Sequence, residues 1–238
     1  MNASVSTQQT DPKSRPRTLK LLLAAVIYAL VLAVVLVLLS GRVDWLMAWG
    51  LAIVMGITTG VTILFAPADR EFIEERTRIK ADVKSWDKPL GVILSVAPFA
   101  VFIVAGLDMR YSWSSPVAAA VQVGALVIVL VAQLGYAWAI ASNKFFARFV
   151  RIQKERGHTV VSSGPYRFVR HPGYATGLLT ILAAALALGS LWALIPGGLV
   201  VLLGILRTAL EDRTLQNELP GYKEYARRVR YRLLPGVW

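Results

Sequence analysis

Apolar residues in this chain do not alternate with polar ones at a helical or strand period. They come in long unbroken runs, separated by short stretches that hold nearly all the charge. Leu19 to Leu39, Trp45 to Ala66, Pro89 to Leu107 and Pro116 to Ala141 are each long enough to cross a bilayer as a helix, which takes about 20 apolar residues. From Tyr174 to Leu206 the apolar stretch exceeds one span and is interrupted by "LGSLW" near Gly189 and by "PGG" at Pro196. That pattern predicts a helical hairpin with one short and one fuller arm. The expectation is therefore an all-α integral membrane protein of six spans, the last two forming the hairpin. At Pro196 a kink is the expected reading, ahead of a lateral gate for substrate.

Charge checks the count independently, because lysine and arginine collect in the cytoplasmic loops of membrane proteins. Four basic residues precede or open the first span, six lie in 67–88, seven in 142–172 and seven in 207–238. Only Arg42 and Arg110 fall elsewhere, each two residues from an aspartate. So 24 of 26 basic residues share one face. An even number of spans with both termini in the cytoplasm is expected. Composition agrees, since 56% of the 238 residues are hydrophobic, against about 45–50% in soluble domains, and the mean hydropathy is +0.56. The net charge of +12 follows from this topology and calls for no nucleic acid. A basic face of this kind also attracts anionic lipid headgroups.

Three regions follow: an unstructured polar tail over 1–16, a four-helix membrane region over 17–141 with a charged cytoplasmic loop at 67–88, and a cytoplasm-facing core over 142–238. The loop carries Glu71/Glu75 and Glu74/Arg78 at one-turn spacing and is expected to form a surface helix. The first apolar run is too long for a cleaved signal, and no A-x-A site follows before Arg42.

Chemistry-bearing residues concentrate in the third region. With no cysteine, thiolate nucleophiles and thiolate metal sites are excluded, and two histidines make a metal site hard to build. No G-x-S-x-G, phosphate loop or dinucleotide fingerprint occurs. What remains is the turn "SSGPYRFVRHPGY". Pro165 and Pro172 stiffen it, and it presents Tyr166, Arg170, His171 and Tyr174 at the lip of the hairpin. Across the hairpin, Arg207 and Glu211 sit one helical turn apart, followed by Asp212. The arginines suit an anion, the rings suit a cation, and Glu211 and Asp212 suit hydroxyls such as those of a ribose. Simple anchoring of helix ends at a membrane surface is the competing explanation.

The pattern H-x-V-V-x-x-G-P-Y-R-x-V-R-H-P-x-Y, then an arginine and an acidic pair, then L-x-x-x-L-P-x-Y-x-x-Y, resembles the integral-membrane isoprenylcysteine carboxyl methyltransferase family and its phospholipid methyltransferase relatives. The similarity covers 143–238. It implies S-adenosylmethionine as cofactor, bound on the cytoplasmic side, and a lipid-like acceptor entering from the bilayer. By position, His158, Tyr166, His171, Pro172, Tyr174, Glu211, Asp212, Tyr222 and Tyr225 would contact the cofactor. Asp212 stands where a second glutamate is usual. Arg170, Arg207 and Glu211 are the candidate catalytic residues: an arginine would position a carboxylate acceptor, and Glu211 would take a proton from an amine or hydroxyl. The turn follows the bacterial branch, so a bacterial inner membrane is expected and prenylcysteine is not inherited as the substrate. Two rivals stay open: an NADPH-dependent reductase of the sterol-reductase type, with Arg148, Arg151, Lys154 and Arg156 meeting the extra phosphate, and a non-enzymatic lipid-binding membrane protein.

Overall fold

Helices that face lipid need no polar side, and these helices have none over most of their length. The computed structural model describes residues 15–67 and 70–238, and every regular element among them is helical. In order these are α1 (Arg15–Ser40), α2 (Leu46–Phe65), α3 (Arg70–Thr77), α4 (Asp87–Val96), α5 (Pro98–Tyr111), α6 (Ala119–Ala141), α7 (Pro172–Ala187), α8 (Leu194–Glu218) and α9 (Tyr222–Arg228). α4 and α5 run on through Ala97, which keeps helical geometry, so Asp87–Tyr111 forms one span with Pro98 opening its second half. Together with α1, α2, α6 and α8 it gives five helices long and apolar enough to cross a membrane.

The sixth segment is shorter. α7 has 16 residues, about 24 Å at 1.5 Å per residue, less than the ~30 Å of a hydrocarbon core. The hairpin's short and full arms are thus both present. The break between them lies at 188–193, where Gly189 takes a left-handed φ of +73°. Pro196 is the third residue of α8 and Gly197 and Gly198 follow in the same turn, so the expected mid-span kink at Pro196 is absent: a proline in a helix's first turn has no intrahelical bond to break. The tail expected over 1–16 lies outside the described residues up to residue 14, while Arg15 and Pro16 already belong to α1.

The bundle is held by small residues at close approaches and by large ones around them. Ala48, Ala52, Ala183, Ala184 and Ala185 are buried with Leu36, Leu51, Val101 and Val129 in one core. Leu30, Val34, Ile57, Val131 and Leu202 point outward and stay more than half exposed, as surfaces meant for lipid do. α1 packs on α2 and α5, α2 on α6, α6 on α7, and α8 on α7 and α5. At the sparsely charged end, the buried Asp108 accepts hydrogen bonds from Ser114 N (2.7 Å), Ser114 Oγ and Ser190 Oγ, tying the end of α5 to the hairpin turn. At the basic end lie α3, the segment 142–171 with its two 3-10 turns, α9 and the last residues, with α9 packed on α8.

Candidate functional site

The turn singled out in the sequence is built by its prolines and glycines. Pro165 opens a 3-10 turn over Gly164–Arg167, and Pro172 is the first residue of α7. Gly164 has φ +57°, and a Cβ there would lie 2.3 Å from Ser142 Oγ, so only glycine lets the turn sit on the end of α6. Gly173 does the same for Phe146, whose ring a Cβ would meet at 2.7 Å. His171 occupies the N-cap position of α7 but makes no capping bond, which leaves its ring to point elsewhere.

It points to Asp212. This carboxylate is fully buried and accepts from Arg170 Nε (2.7 Å) and Nη2 (3.0 Å), Arg232 Nε (2.9 Å), Tyr222 OH (3.0 Å) and Gln216 Nε2 (2.8 Å), with His171 Nε2 at 3.2 Å. Arg170 continues the knot by donating Nη1 to the carbonyls of Val229 and Arg230. The backbone N–H groups of Arg170 and His171 donate to Tyr231 O and Arg232 O, both at 2.9 Å. One carboxylate thus joins the turn, α8, α9 and the last residues. Burial works against the Arg170 charge, and the bonds to Asp212 more than restore it, so its pKa lies above the ordinary arginine value. Burial, then Asp212, push the Tyr222 phenol upward, which keeps it a donor.

A second knot lies one helical turn earlier on α8. Arg207 donates Nε and Nη2 to Asp87 at 2.6 and 2.9 Å and also reaches Arg148 O at 2.7 Å. Asp87, fully buried at the start of α4, accepts from Val150 N at 2.7 Å as well. Arg207 therefore pairs with α4, and Glu211 is left to face inward with the Tyr174 hydroxyl donating to it at 2.8 Å. A third ion-paired centre fastens the 67–88 loop: Arg151 donates to Glu75 at 2.9 and 2.8 Å, to Asp82 at 2.7 Å and to Glu155.

These centres surround one cavity of about 530 Å³, within the range of small-molecule sites. His158, Tyr166, Arg170, His171, Tyr174, Arg207, Glu211, Tyr222 and Tyr225 line its polar half, and Tyr28, Met55, Phe99, Phe102 and Ala184 line its apolar half between the spans. Of the residues predicted from the sequence, Pro172 and Asp212 do not line it. Pro172 shapes the turn, and the oxygens of Asp212 are taken up by protein donors. Arg170 and Arg207 reach the wall, but each is neutralised by a buried carboxylate. That geometry opposes the expectation that either would hold an anionic acceptor. Tyr225 donates to Tyr166 O at 2.7 Å and Asn143 Nδ2 donates to the Tyr166 hydroxyl at 3.1 Å, so these two tyrosines frame the site.

His158 packs against Phe145 with ring centroids 4.5 Å apart and planes tilted by 34°, and its Nδ1 accepts from Gln153 N at 3.3 Å. Nε2 then carries the proton of the neutral ring. Burial, aided by Arg151 and Arg156, lowers its pKa from 6.5 to about 4. A folded pKa below the unfolded one means that the unfolded chain takes up the proton first. The stability due to His158 is therefore present above pH 6.5 and lost as pH falls toward 4. An NMR titration should find the His158 midpoint near 4; a midpoint at 6.5 or above would place the ring in solvent.

Sequence reasoning missed Asp87, Arg232, Asn143 and the Glu75–Arg151 pair. Only Asp87 carried a signal: an acidic residue standing where a span begins.

Residues 119–220 match the family model for phospholipid methyltransferases, a stretch running from the start of α6 to just before α9 and containing the whole histidine-proline turn. The cobalt-zinc-cadmium resistance protein CzcN of Cupriavidus metallidurans is 31% identical over 136 residues, which is 54% of this chain and 56% of CzcN. The match thus spans little more than half of that relative. The resemblance read from the turn is met by the family model, which supports a membrane methyltransferase in general terms.

Proposed function

We propose that this chain, whose second half matches the phospholipid methyltransferase model, transfers a methyl group from S-adenosylmethionine to a lipid-like acceptor at the cytoplasmic face of the membrane. The observation that carries the reading is the single cavity joining the turn residues to the apolar walls of the spans. A polar cofactor and an apolar acceptor can meet only in a space of that kind. The concentration of basic residues at this end supports a cytoplasmic orientation for it and for both termini, with a bacterial inner membrane as the setting.

The residues present fit the cofactor. Glu211 offers a carboxylate oxygen to a hydroxyl or ammonium, with Tyr174 fixing the other. His158 offers Nε2–H, and the ring faces of Tyr166 and Tyr174 suit a positively charged sulfonium. When bound, S-adenosylmethionine supplies an electrophilic methyl group. The chain's task is to hold donor and acceptor in line and exclude water, which accounts for much of the acceleration such reactions need. Asp212 positions Arg170, His171 and Tyr222, and Asp87 positions Arg207. No side-chain nucleophile is required. An acceptor carboxylate reacts without a base, and an amine or hydroxyl would pass its proton to Glu211.

Calorimetric titration of the detergent-purified protein tests this. Saturable S-adenosylmethionine binding is expected, and it should be lost in Glu211→Ala and in His171→Ala although both variants still insert in the membrane. Retained binding in both would remove the site assignment. Binding of NADPH alone would move the protein to the reductase reading, and binding of neither would make the turn a headgroup anchor.

A further inference from the structure

Five arginines line the cavity, and their charges are not treated alike. Arg151, Arg170 and Arg207 are matched by Glu75, Asp212 and Asp87, each a buried carboxylate. Arg76 and Arg148 have no carboxylate partner among the described residues. The guanidinium of Arg76 lies between two rings, 5.8 Å from the centre of Phe72 and 5.3 Å from that of Phe146. Arg148 donates Nε to Ser95 Oγ at 3.2 Å and lies 5.5 Å from the Phe149 ring. Glu211 is the one carboxylate on the cavity wall among the described residues, and it already accepts from Tyr174.

Arg76 is also held in place. Its neighbour Glu75 is locked to Arg151 by two bonds, and the Phe72 side chain one turn earlier is buried, so α3 cannot turn Arg76 away without breaking a buried ion pair. Arg76 is half-buried and Arg148 exposed, and both line the cavity. Two guanidinium groups on the wall of a partly apolar cavity, with no carboxylate partner among the described residues, favour a ligand that brings negative charge, and their planar forks suit carboxylate and phosphate oxygens.

We propose that Arg76 and Arg148 are the anion-recognising pair of this cavity and take a carboxylate or phosphate where its polar wall meets its apolar one. The proposal rests on the methyltransferase reading for its two sources of such a group: an acidic headgroup on the lipid-like acceptor, or the carboxylate of S-adenosylmethionine. The acceptor role passes in this way from Arg170 and Arg207, whose charges are matched, to two arginines outside the histidine-proline motif.

The test uses the full chain in detergent, with oleate and oleyl alcohol as probes that share a tail and differ in charge, and with S-adenosylmethionine titrated separately. The wild-type protein should bind oleate about ten-fold more tightly than the alcohol, and Arg76→Gln and Arg148→Gln should each erase most of that preference. Arg76→Lys should retain part of it, and this variant keeps the test valid should Arg76→Gln fail to fold. Loss of S-adenosylmethionine affinity by about ten-fold with the oleate preference intact would assign the pair to the cofactor's carboxylate, which still supports an anion site. An oleate preference that depends on both arginines in a protein that binds no S-adenosylmethionine would uphold the pair and remove the methyltransferase reading. Unchanged binding of all three probes in both glutamine variants would overturn the proposal.

Discussion

Asp212→Ala is expected to abolish S-adenosylmethionine binding and to destabilise the folded protein by about 3–5 kcal/mol, the cost of removing one partner from a buried ion pair. Its carboxylate is fully buried and takes bonds from Arg170, Arg232, Tyr222 and Gln216 with His171 alongside. Alanine would leave the Arg170 guanidinium, itself buried, with only the two backbone carbonyls of Val229 and Arg230. Asp212→Asn keeps the shape but aims an amide donor or a neutral oxygen at several donors, so a smaller loss in the same direction is expected. Thermal unfolding in detergent, run beside cofactor titration, separates two roles. A carboxylate that only touched a cofactor hydroxyl would lose affinity and keep its melting temperature. A carboxylate that organises the site loses both, and a variant unchanged in melting would show that the knot is dispensable.

The contrast between Glu211 and Asp212 shows what could be read from the chain. Both stood out as an acidic pair at the cytoplasmic end of a span, and both were assigned to cofactor contacts. Adjacent residues on a helix point about 100° apart, so the two carboxylates can be divided between the cavity and the segments packed beside it. Which one depends on where α9 and the last residues pack: Tyr222 and Arg232, ten and 20 residues further on, capture Asp212. The five full spans were legible because bilayer thickness sets their length and needs no tertiary information, whereas α7 falls short of that length. The Pro196 kink was misread because a proline's effect depends on its position in the helix, and the helix began later than the apolar run. Arg207 and Glu211 stand one helical turn apart in the sequence, but a fully buried carboxylate 120 residues away outcompetes an i, i+4 neighbour. Local pairs are worth a few tenths of a kcal/mol, so a buried alternative wins readily. The Arg76 side chain was invisible as a site residue for the same reason, since only the fold brings α3 to the cavity.

The Asp87–Arg207 pair carries the second large expectation. Asp87→Ala should destabilise the protein by about 3–5 kcal/mol, because Arg207 would remain largely buried among the helices with its charge unmatched. Arg207→Met removes the cation and leaves the buried Asp87 carboxylate with only the Val150 N–H, a loss of similar size. The double variant Asp87→Leu/Arg207→Met should recover much of the single Asp87 loss, giving a coupling of about 2–3 kcal/mol in a double-mutant cycle on thermal or denaturant unfolding. The sign of that coupling matters for mechanism as well as for stability. Had Arg207 been placed to grip an acceptor's negative charge, its loss would weaken acceptor binding and barely touch the fold, and Asp87 would be an obstacle to function whose removal helped. The two bonds at 2.6 and 2.9 Å and the third to Arg148 O argue the reverse. Arg207 is committed to joining α8, α4 and the segment at 148–150, and in doing so it fixes the backbone that carries Arg148 on the cavity wall. Additive single losses would mean that the pair is not coupled, and the link from α4 to the Arg148 segment would then rest on the bond from Val150 N to Asp87 and on packing.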